Sequence, residues 1–463
     1  MVRLFRVFIP LGAVTLLISE ILLLTTSFVV ATYIVLEVDP TDYLLYDGGL
    51  TRILVVLASI VVGLHLQDLY SQVHLKSRIV LVQQLCMAMG IAFLLQGMVS
   101  YVDRDLRVPL RVMMLGSFIA IVAIFFWRLI FSAYALQVVG RTSLLLVGGS
   151  SLLEDIGRHI EEHPELGLRV TGYVDDGREL GTLLPGGKLL GGISSLRGIV
   201  TATEPNRIVV GMFERRNRVP VSDLLELRFA GHIIEEAASA FERVCGRVSI
   251  KELRPSQLIY SGELGPSRST LLLQAFTHTV VAVVVSLVSL PITILTALAV
   301  RLSSPGPILY RQVRVGMDGV PFTLYKFRSM RVDAEAETGA VWASRDDPRV
   351  TIVGRIIRRL RFDELPQLLN VLKREMSIVG PRPERPEFVK ALSEQIPYYP
   401  QRLCVRPGIT GWAQVNYKYG DSFEDTVTKL EYDLYYIKNM SLSLDGYILF
   451  HTIKAMLLTR GAQ

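Results

Sequence analysis

The chain has 463 residues, of which 50% are hydrophobic and 20% are charged, with a formal net charge of +6. Its mean hydropathy is +0.39, and its charged fraction lies below the roughly 25% usual in soluble domains. This composition excludes a purely soluble enzyme and a disordered scaffold. Three cysteines lie far apart, the seven histidines show no HExxH motif, and we expect no paired histidines. The sequence therefore predicts no disulfide framework, no cysteine-rich metal site and no histidine metal site.

Four apolar stretches crowd the first third of the chain, and most approach the ~20 residues that cross a bilayer. They predict a four-helix transmembrane bundle over residues 1–140, with basic residues that favour a cytoplasmic N-terminus. No small-residue cleavage site follows the first stretch, so we expect an anchor rather than a removed signal peptide. Glu20 inside that stretch marks either function or a hydrogen bond to a neighbouring helix, and we expect the hydrogen bond. The stretches are Phe8–Leu36, Ile53–Leu66, Ile79–Val99 and Val112–Leu136.

A fifth apolar stretch, about Leu271–Val300, contains no Asp, Glu, Lys or Arg. A straight helix of this length would be ~45 Å long, enough to cross a bilayer. Pro291 lies two thirds along it, and proline removes a backbone hydrogen bond and kinks a helix. Arg268 and Arg301 flank it, which suits a helix that enters and leaves by one face. The residues by themselves do not distinguish this re-entrant helix from a plain spanning helix with a proline kink.

The middle of the chain, residues 141–265, has the pattern of a doubly wound parallel sheet, a Rossmann-like α/β domain. A short apolar run ends in the glycine turn Gly148–Ser150, and a glycine turn of this kind can hold a phosphate. The turn lacks the full GxGxxG pattern, and no carboxylate is well placed for a ribose. We therefore expect a domain that binds nothing or serves regulation. The predicted strands are Ser143–Gly148, Arg169–Val174 and Arg207–Val210, and the predicted helix is Leu152–Glu161.

The positive charge of the chain is concentrated after Arg301. A basic surface on a membrane-attached domain suits anionic headgroups, phospholipids and nucleotide sugars. Runs of Lys and Arg with interleaved aromatic residues are missing from this part of the sequence, which excludes nucleic acid as a good candidate partner.

Three motifs in this last third carry the chemistry. In the second, Asp363 and Glu364 are embedded among arginines. Such a pair can bind Mg²⁺ through one carboxylate plus substrate phosphates, or supply an acyl-phosphate nucleophile beside an acid/base group. Arginine suits bidentate phosphate binding, so the pattern favours phosphoryl transfer on a nucleotide-diphosphate compound. Composition alone leaves a surface ion-pair network as a narrowly better alternative. The motifs are Gly316–Gly319 with Tyr325–Met330, Arg358–Asn370, and Gly380–Glu384.

Taken whole and in order, the motifs resemble those of the bacterial sugar transferases, the monotopic polyprenyl-phosphate phosphoglycosyl transferases. They read KFRSM, RxxxxDELPQLxN, SIVGPRPExP and RPGITGWAQV, and they follow the apolar stretch with Pro291. The predicted N-terminal spans and Rossmann-like middle match the large subclass, the undecaprenyl-phosphate galactose or glucose phosphotransferases. The resemblance implies a multidomain membrane protein. Its residues 266–463 would form a mainly α monotopic catalytic domain, with a re-entrant membrane helix over about 271–300 broken at Pro291.

The implied activity moves a sugar 1-phosphate from a UDP-sugar, UDP-glucose or UDP-galactose, to undecaprenyl phosphate with release of UMP. This step would initiate exopolysaccharide, capsule or O-antigen synthesis. Asp363 would attack the β-phosphorus, forming an aspartyl phospho-sugar, and would ligate Mg²⁺. Glu364 would assist as acid/base or metal partner.

The resemblance also implies the remaining site residues. Arg358 would contact the phosphate of the lipid acceptor or membrane headgroups, and Arg382, framed by Pro381 and Pro383, would bind the nucleotide diphosphate. Lys326 and Arg328 would line the same basic site. The protein would be a multi-pass protein of the bacterial inner membrane that contacts membrane lipids, with its catalytic and central domains in the cytoplasm and a homo-oligomeric state possible.

Two C-terminal features leave alternatives open. Where many relatives continue with Gly-Arg, this chain has Tyr417–Asp421, which resembles the exopolysaccharide branch linked to exosortase (PEP-CTERM) sorting and leaves the donor sugar undecided. The segment Tyr432–Asp445 with the following run Ile448–Leu458 predicts either an amphipathic helix on the membrane surface or a core helix.

Two other functions compete with the transferase. An NAD-dependent nucleotide-sugar epimerase or dehydratase would need an intact glycine fingerprint and a Tyr-x-x-x-Lys pair, and neither occurs between Gly148 and Gly265. A non-catalytic polysaccharide-assembly scaffold would not need the intact DELPQ and GPRP motifs.

Overall fold

A computed structural model describes residues 2–4, 7–9, 11–36, 39–67, 69–70, 78–131, 142–212, 220–251, 266–331, 349–417 and 422–457. Apart from a few N-terminal residues, these fall into two compact units that meet in sequence between Ala237 and Ala238. The predicted domain boundaries at 140/141 and 265/266 lie at residues 132–141 and 252–265, which are outside the described part of the chain.

The first unit begins with helices that are membrane-like in length and composition. Among the residues that the structure describes, four helices of this unit and one of the second unit are long and apolar enough to cross a membrane. Helix α1 packs on α5, and α3 packs on α4, with fully buried apolar side chains such as Phe28 and Ile124 between them. After two short strands, β1 (Val2–Leu4) and β2 (Val7–Ile9), the helices are α1 (Leu11–Val35), α2 (Pro40–Leu45), α3 (Gly49–Leu66), α4 (Arg78–Val102) and α5 (Leu110–Ile130).

Glu20 on α1 is completely buried and pairs with the buried Arg128 on α5. The Arg128 Nε lies 2.6 Å from Glu20 Oε1, and Nη2 donates to Oε2 at 3.0 Å. The remaining Arg128 nitrogen, Nη1, donates to the Leu69 carbonyl at 2.7 Å. The expected bond from Glu20 to a neighbouring helix is therefore present, and its partner is a charged guanidinium.

We expect Glu20→Leu to lower the free energy of unfolding by about 3–5 kcal/mol, because it leaves the Arg128 charge buried without its partner. Thermal unfolding of the full chain in detergent measures this. Thr26→Val, which changes an exposed position on the same helix, should leave the midpoint nearly unchanged. Equal melting of both variants would show that the pair does not hold α1 to α5.

The α/β part of the first unit is one six-stranded sheet in the order β5-β6-β4-β3-β7-β8. The five strands other than β5 are parallel, and in chain order they read 3-2-1-4-5, the doubly wound arrangement. This confirms the predicted central α/β sheet. The strands are β3 (Thr142–Val147), β4 (Leu168–Val174), β5 (Leu183–Leu184), β6 (Gly187–Gly191), β7 (Arg207–Val210) and β8 (Ile233–Glu236).

The helices of this sheet cover the buried first strand, whose residues Leu144–Val147 are fully buried. Gly148 follows with φ at +112°, and a Cβ there would lie 2.1 Å from the Gly211 carbonyl oxygen. Only glycine fits this turn. These helices are α6 (Ser151–Glu162), α7 (Leu196–Thr203) and α8 (Val221–Phe229), and the next helix, α9 (Ala237–Cys245), lies almost wholly in the second unit.

The second unit contains one long helix and a mixed α/β body. Its antiparallel hairpin β9–β10 and its parallel pair β11–β12 are separate two-stranded sheets. The strands are β9 (Leu309–Val315), β10 (Pro321–Phe327), β11 (Ser377–Val379) and β12 (Gly408–Thr410). The helices are α10 (Arg268–Ser303), α11 (Ile352–Arg359), α12 (Gln367–Leu372), α13 (Pro386–Gln395), α14 (Trp412–Asn416), α15 (Phe423–Asn439) and α16 (Leu442–Leu457).

The core of this unit is built around α15. Tyr435 and Tyr436 are each only 1% exposed, and Trp412 stacks on Tyr435 with 5.5 Å between ring centroids. Of the two alternatives for the tail, the structure therefore supports a core helix for Tyr432–Asn439.

Helix α10 continues through Pro291, so helical structure is not interrupted at the proline. Its buried residues lie near its two ends, where other apolar side chains, such as Leu272 and Leu302, are exposed. Gln274, His278 and Ala282 are buried near the start, and Thr296 and Val300 near the end. Between them lies a row of exposed apolar side chains, Val283–Val285, Leu287, Val288, Leu290, Ile292, Ile294 and Leu295.

Candidate active site

Asp363 and Glu364 lie in a 3-10 turn, Phe362–Glu364, between α11 and α12. Both side chains are buried. The preceding residue, Arg361, has φ at +55°, a left-handed conformation that is uncommon for a residue with a Cβ. This tight turn, rather than a regular helix, lets two adjacent carboxylates occupy one site.

Three cations surround the Glu364 carboxylate. Lys326 Nζ donates to Oε1 at 3.2 Å, and Arg382 Nη2 donates to the same oxygen at 3.3 Å. The Arg361 guanidinium lies 3.7 Å from Oε2. Burial opposes ionisation, but these cations prevail and lower the pKa of Glu364. Glu364 is therefore ionised at neutral pH and holds Lys326 and Arg382 at one point.

The pKa of the Asp363 carboxyl is shifted in the opposite direction. Burial, followed by repulsion from the Glu364 carboxylate, raises the pKa of Asp363 to about 6, although Lys326, Arg358 and Arg382 act against the shift. Two adjacent carboxylates with divergent pKa values indicate separate roles. At neutral pH Asp363 is mostly ionised and retains appreciable basicity, as a nucleophile requires.

The segment Gly380–Glu384 is held from both sides by hydrogen bonds to its backbone carbonyls. The Pro381 carbonyl accepts from Gly408 N at 2.9 Å, and the Pro383 carbonyl accepts from Arg314 Nη1 at 3.0 Å. Pro381 and Pro383 are buried, whereas Arg382 between them is half-buried. A Cβ at Gly380 would lie 2.4 Å from the Arg406 carbonyl oxygen, which explains the glycine that begins this motif.

Sequence reasoning missed a buried cluster behind Arg382. Arg402 Nη2 donates to the Arg382 carbonyl at 2.9 Å and pairs with Asp433 at 2.8 Å, while Nη1 donates to the Tyr399 hydroxyl at 2.8 Å. Arg382 and Asp433 are distant from Arg402 in the sequence, and Tyr399 lies outside the recognised motifs. The cluster fixes the backbone that presents Arg382.

Asn370, the last residue of the second motif, is a structural link. Its Oδ1 accepts from Tyr325 N at 3.2 Å, and its Nδ2 donates to the Thr323 carbonyl at 2.7 Å. This fully buried amide therefore ties α12 to β10 and sets Lys326 opposite Glu364.

The structure thus brings together Lys326, Asp363, Glu364 and Arg382, with Arg358 near enough to lower the pKa of Asp363. Arg328 lies elsewhere. Its buried guanidinium donates to the carbonyls of Ser304 at 2.7 Å and Pro305 at 2.9 Å, at the end of α10. Arg328 therefore fixes the backbone at the C-terminal end of the long helix. Pro291 lies on the exposed middle of α10, and Lys418–Asp421 lie outside the described residues.

The donor set near Asp363 fits a hard divalent cation held mainly by its substrate. Glu364 is already neutralised by three cations, so Asp363 is the carboxylate best placed to serve as a ligand. Mg²⁺ commonly binds one or two carboxylates together with substrate phosphates and waters.

The sequence profile of the bacterial sugar transferases matches residues 269–459. A UDP-N-acetylgalactosamine-undecaprenyl-phosphate N-acetylgalactosaminephosphotransferase of Aeromonas hydrophila is 46% identical over 222 residues, 48% of this chain and 52% of the relative. A UDP-glucose:undecaprenyl-phosphate glucose-1-phosphate transferase of Escherichia coli (strain K12) is 46% identical over 176 residues, 38% of each chain. This chain thus spans about half or less of the length of these relatives.

A shorter relative is matched over most of its length. The uncharacterized sugar transferase EpsL of Bacillus subtilis (strain 168) is 42% identical over 172 residues, which are 37% of this chain and 81% of the relative. The match thus covers more than two thirds of the length of a protein named as a sugar transferase.

Proposed function

The chain belongs to the bacterial sugar transferase family, and from that premise we propose that it transfers a sugar 1-phosphate from a UDP-sugar to undecaprenyl phosphate. The observation that carries the proposal is the unequal pair Asp363 and Glu364. One carboxylate is neutralised by Lys326, Arg361 and Arg382, and the other is ionised but basic. The names of the Aeromonas and Escherichia relatives supply the chemical class of donor and acceptor.

In the proposed first step, an Asp363 carboxylate oxygen attacks the phosphorus that bears the sugar. A new P–O bond forms to Asp363, the bond to the bridging oxygen breaks, and UMP leaves. In the second step a phosphate oxygen of undecaprenyl phosphate attacks the same phosphorus and releases the Asp363 carboxylate. Covalent catalysis divides one transfer between two unlike substrates into two simpler displacements.

The cations of the site balance the charge of the incoming diphosphate. Lys326 and Arg382 already converge on one Glu364 oxygen, so their side chains are ordered before the donor arrives. Because its pKa is lowered, Glu364 suits the role of orienting these cations better than that of a proton donor. Mg²⁺, ligated by Asp363, would neutralise phosphate charge when bound.

We also propose that α10 is a re-entrant membrane helix, and that the four N-terminal helices form a transmembrane bundle. Near its start, Gln274 Nε2 donates to Asp445 and His278 lies 3.3 Å from the same carboxylate. Near its end, Val300 packs with Phe327 and Ile357. Both ends of α10 are thus bound to one compact unit, which supports placing them on one side of the membrane, with the exposed apolar middle in the bilayer.

With α10 in this proposed arrangement, the site would lie at the membrane surface. The acceptor phosphate lies at the bilayer interface and the nucleotide sugar is a cytosolic metabolite, so we place the catalytic site on the cytoplasmic side of the bacterial inner membrane.

We expect Pro291→Ala to favour a straight α10 and to move part of the population toward a full span, because the proline no longer blocks a backbone hydrogen bond. Cysteine labelling at Arg268 and Arg301 in intact cells measures the side of each end. In the parent both positions should label from the cytoplasm. Unchanged labelling in Pro291→Ala would show that end contacts, not the proline, determine the topology.

The pH profile of the transfer should show the raised pKa of Asp363. Attack needs the ionised carboxylate, so kcat/KM should fall as the pH drops below about 6. Since Lys326 lowers this pKa, Lys326→Met should move the acidic limb to higher pH. A limb near pH 4 in the parent protein, as for an ordinary aspartate, would contradict the assignment.

Nucleotide release tests the proposed function. Purified full-length protein in nanodiscs would receive Mg²⁺, undecaprenyl phosphate and UDP-glucose, UDP-galactose or UDP-N-acetylgalactosamine. Lipid-dependent release of UMP with one donor supports the transfer and identifies the sugar. Release of UDP would mean plain glycosyl transfer, and no release with any UDP-sugar would favour the scaffold.

A further inference from the structure

Two histidines and a glutamate lie together at the C-terminal end of α6, at the opposite end of this helix from the glycine turn. The chain reads His159-Ile160-Glu161-Glu162-His163 here. The expectation that no histidines are paired is therefore wrong at this point, because residues four apart lie on one face of a helix. The ligand atoms of His159, Glu162 and His163 all lie within 4.8 Å of one another.

The geometry of His163 is that of a metal ligand with its supporting hydrogen bond. Its Nδ1 lies 3.1 Å from the His159 carbonyl oxygen. A carbonyl only accepts, so Nδ1 carries the proton and the lone pair is on Nε2. Ligating histidines commonly donate their other ring N–H to a backbone carbonyl in this way, which fixes tautomer and ring orientation. The rings of His159 and His163 stack with centroids 4.2 Å apart, which keeps both on the same side of the helix.

The charge at this helix end favours a cation. Glu161 and Glu162 lie in the last turn, where the helix dipole places partial negative charge and disfavours carboxylates. Glu161 is used locally, since its Oε2 accepts from Gly186 N at 3.1 Å. Glu162 is exposed, and a positive ion between it and the two imidazoles would offset the unfavourable position of its charge.

We propose that His159, Glu162 and His163 form a binding site for a divalent transition-metal ion of the zinc class on the central α/β domain. Two imidazole nitrogens and one carboxylate oxygen are a common zinc ligand set, which leaves a fourth position for water. Mg²⁺ and Ca²⁺ prefer all-oxygen ligands. The site is therefore chemically distinct from the carboxylates of the active site, and it does not depend on the transferase activity.

Co²⁺ and Zn²⁺ binding to the full-length protein tests the proposal, with the protein purified through a tag without histidines. One Co²⁺ per chain should give visible d–d bands of a four- or five-coordinate site, Zn²⁺ should displace it, and excess Mg²⁺ should not. His163→Ala should weaken Zn²⁺ binding by more than the ~10–100-fold typical of losing an outer-shell partner. The control is His232→Ala, another histidine of the same domain, which should bind as the parent does.

A second readout guards against a folding defect. Zn²⁺ should raise the thermal midpoint of the parent and of His232→Ala, because a ligand that binds the folded state stabilises it. It should not raise that of His159→Ala/His163→Ala, whose midpoint without metal should match the parent. The proposal is overturned if Co²⁺ bands or the Zn²⁺-dependent shift persist in the double variant, or if the parent shows neither.

Discussion

Asp363→Asn should reduce lipid-dependent UMP release by at least ~10³-fold, because an amide cannot form the covalent phospho-sugar. The substitution keeps the shape of the side chain in a buried turn and removes the charge that repels Glu364. Protein yield, membrane association and the melting midpoint should therefore stay close to those of the parent. The loss should appear chiefly in kcat, since the covalent step is removed while Lys326 and Arg382 are untouched.

Direct detection of the intermediate sharpens this test. A UDP-sugar labelled in the phosphate next to the sugar should label the parent protein when undecaprenyl phosphate is omitted, and should not label Asp363→Asn. Glu387→Gln, an exposed position at the start of α13, is the matched control and should retain both label and turnover. Near-normal turnover of Asp363→Asn would rule out a covalent role for this residue.

Asp433→Ala should destabilise the second unit by about 3–5 kcal/mol, because it leaves the buried Arg402 charge without its carboxylate. Asp433 is 3% and Arg402 is 8% exposed, so solvent cannot replace the lost partner well. The same guanidinium donates to the Arg382 carbonyl. Catalysis in the remaining folded protein should therefore also fall, since Arg382 loses its backbone support.

Double replacement separates charge burial from positioning. Asp433→Leu with Arg402→Met removes both charges, and such apolar replacement of a buried pair is often neutral or stabilising. Its melting midpoint should recover toward that of the parent while its turnover stays low. Recovery of both would show that Arg402 does not position Arg382, and recovery of neither would show that the cluster is needed for folding as a whole.

The sequence predicted the elements whose signals are local. Hydrophobic periodicity and composition located four apolar helices, and most of the predicted helix ends lie within a few residues of the observed ends. The strand Arg207–Val210 has the predicted bounds. A continuous apolar run ending in glycine turns predicts a buried parallel strand because both of its faces are covered. The helix Pro40–Leu45 was not predicted, since six residues starting at a proline carry too short a period to distinguish from a turn.

The partners of charged side chains could not be predicted in the same way. Lys326 and Arg328 are two residues apart and were expected in one basic site, yet Lys326 contacts Glu364 and Arg328 binds carbonyls at the end of α10. Strand β10 ends at Phe327, so the alternation that would place both side chains on one face no longer applies to Arg328. Likewise, nothing in the spacing of Glu20 and Arg128 indicates that they meet.

By itself, the sequence determined the membrane-like character of the chain, the central parallel sheet and the family. Hydrophobic periodicity and short motifs can be recognised from residues that are close together in the sequence. Only the tertiary structure decided which charges face one another. Burial and the Glu364 charge raise the pKa of Asp363 although cations lie nearby, whereas the cations that contact Glu364 outweigh its burial and lower its pKa. The different roles of the two adjacent carboxylates are therefore a property of the folded site and not of the Asp-Glu dipeptide itself.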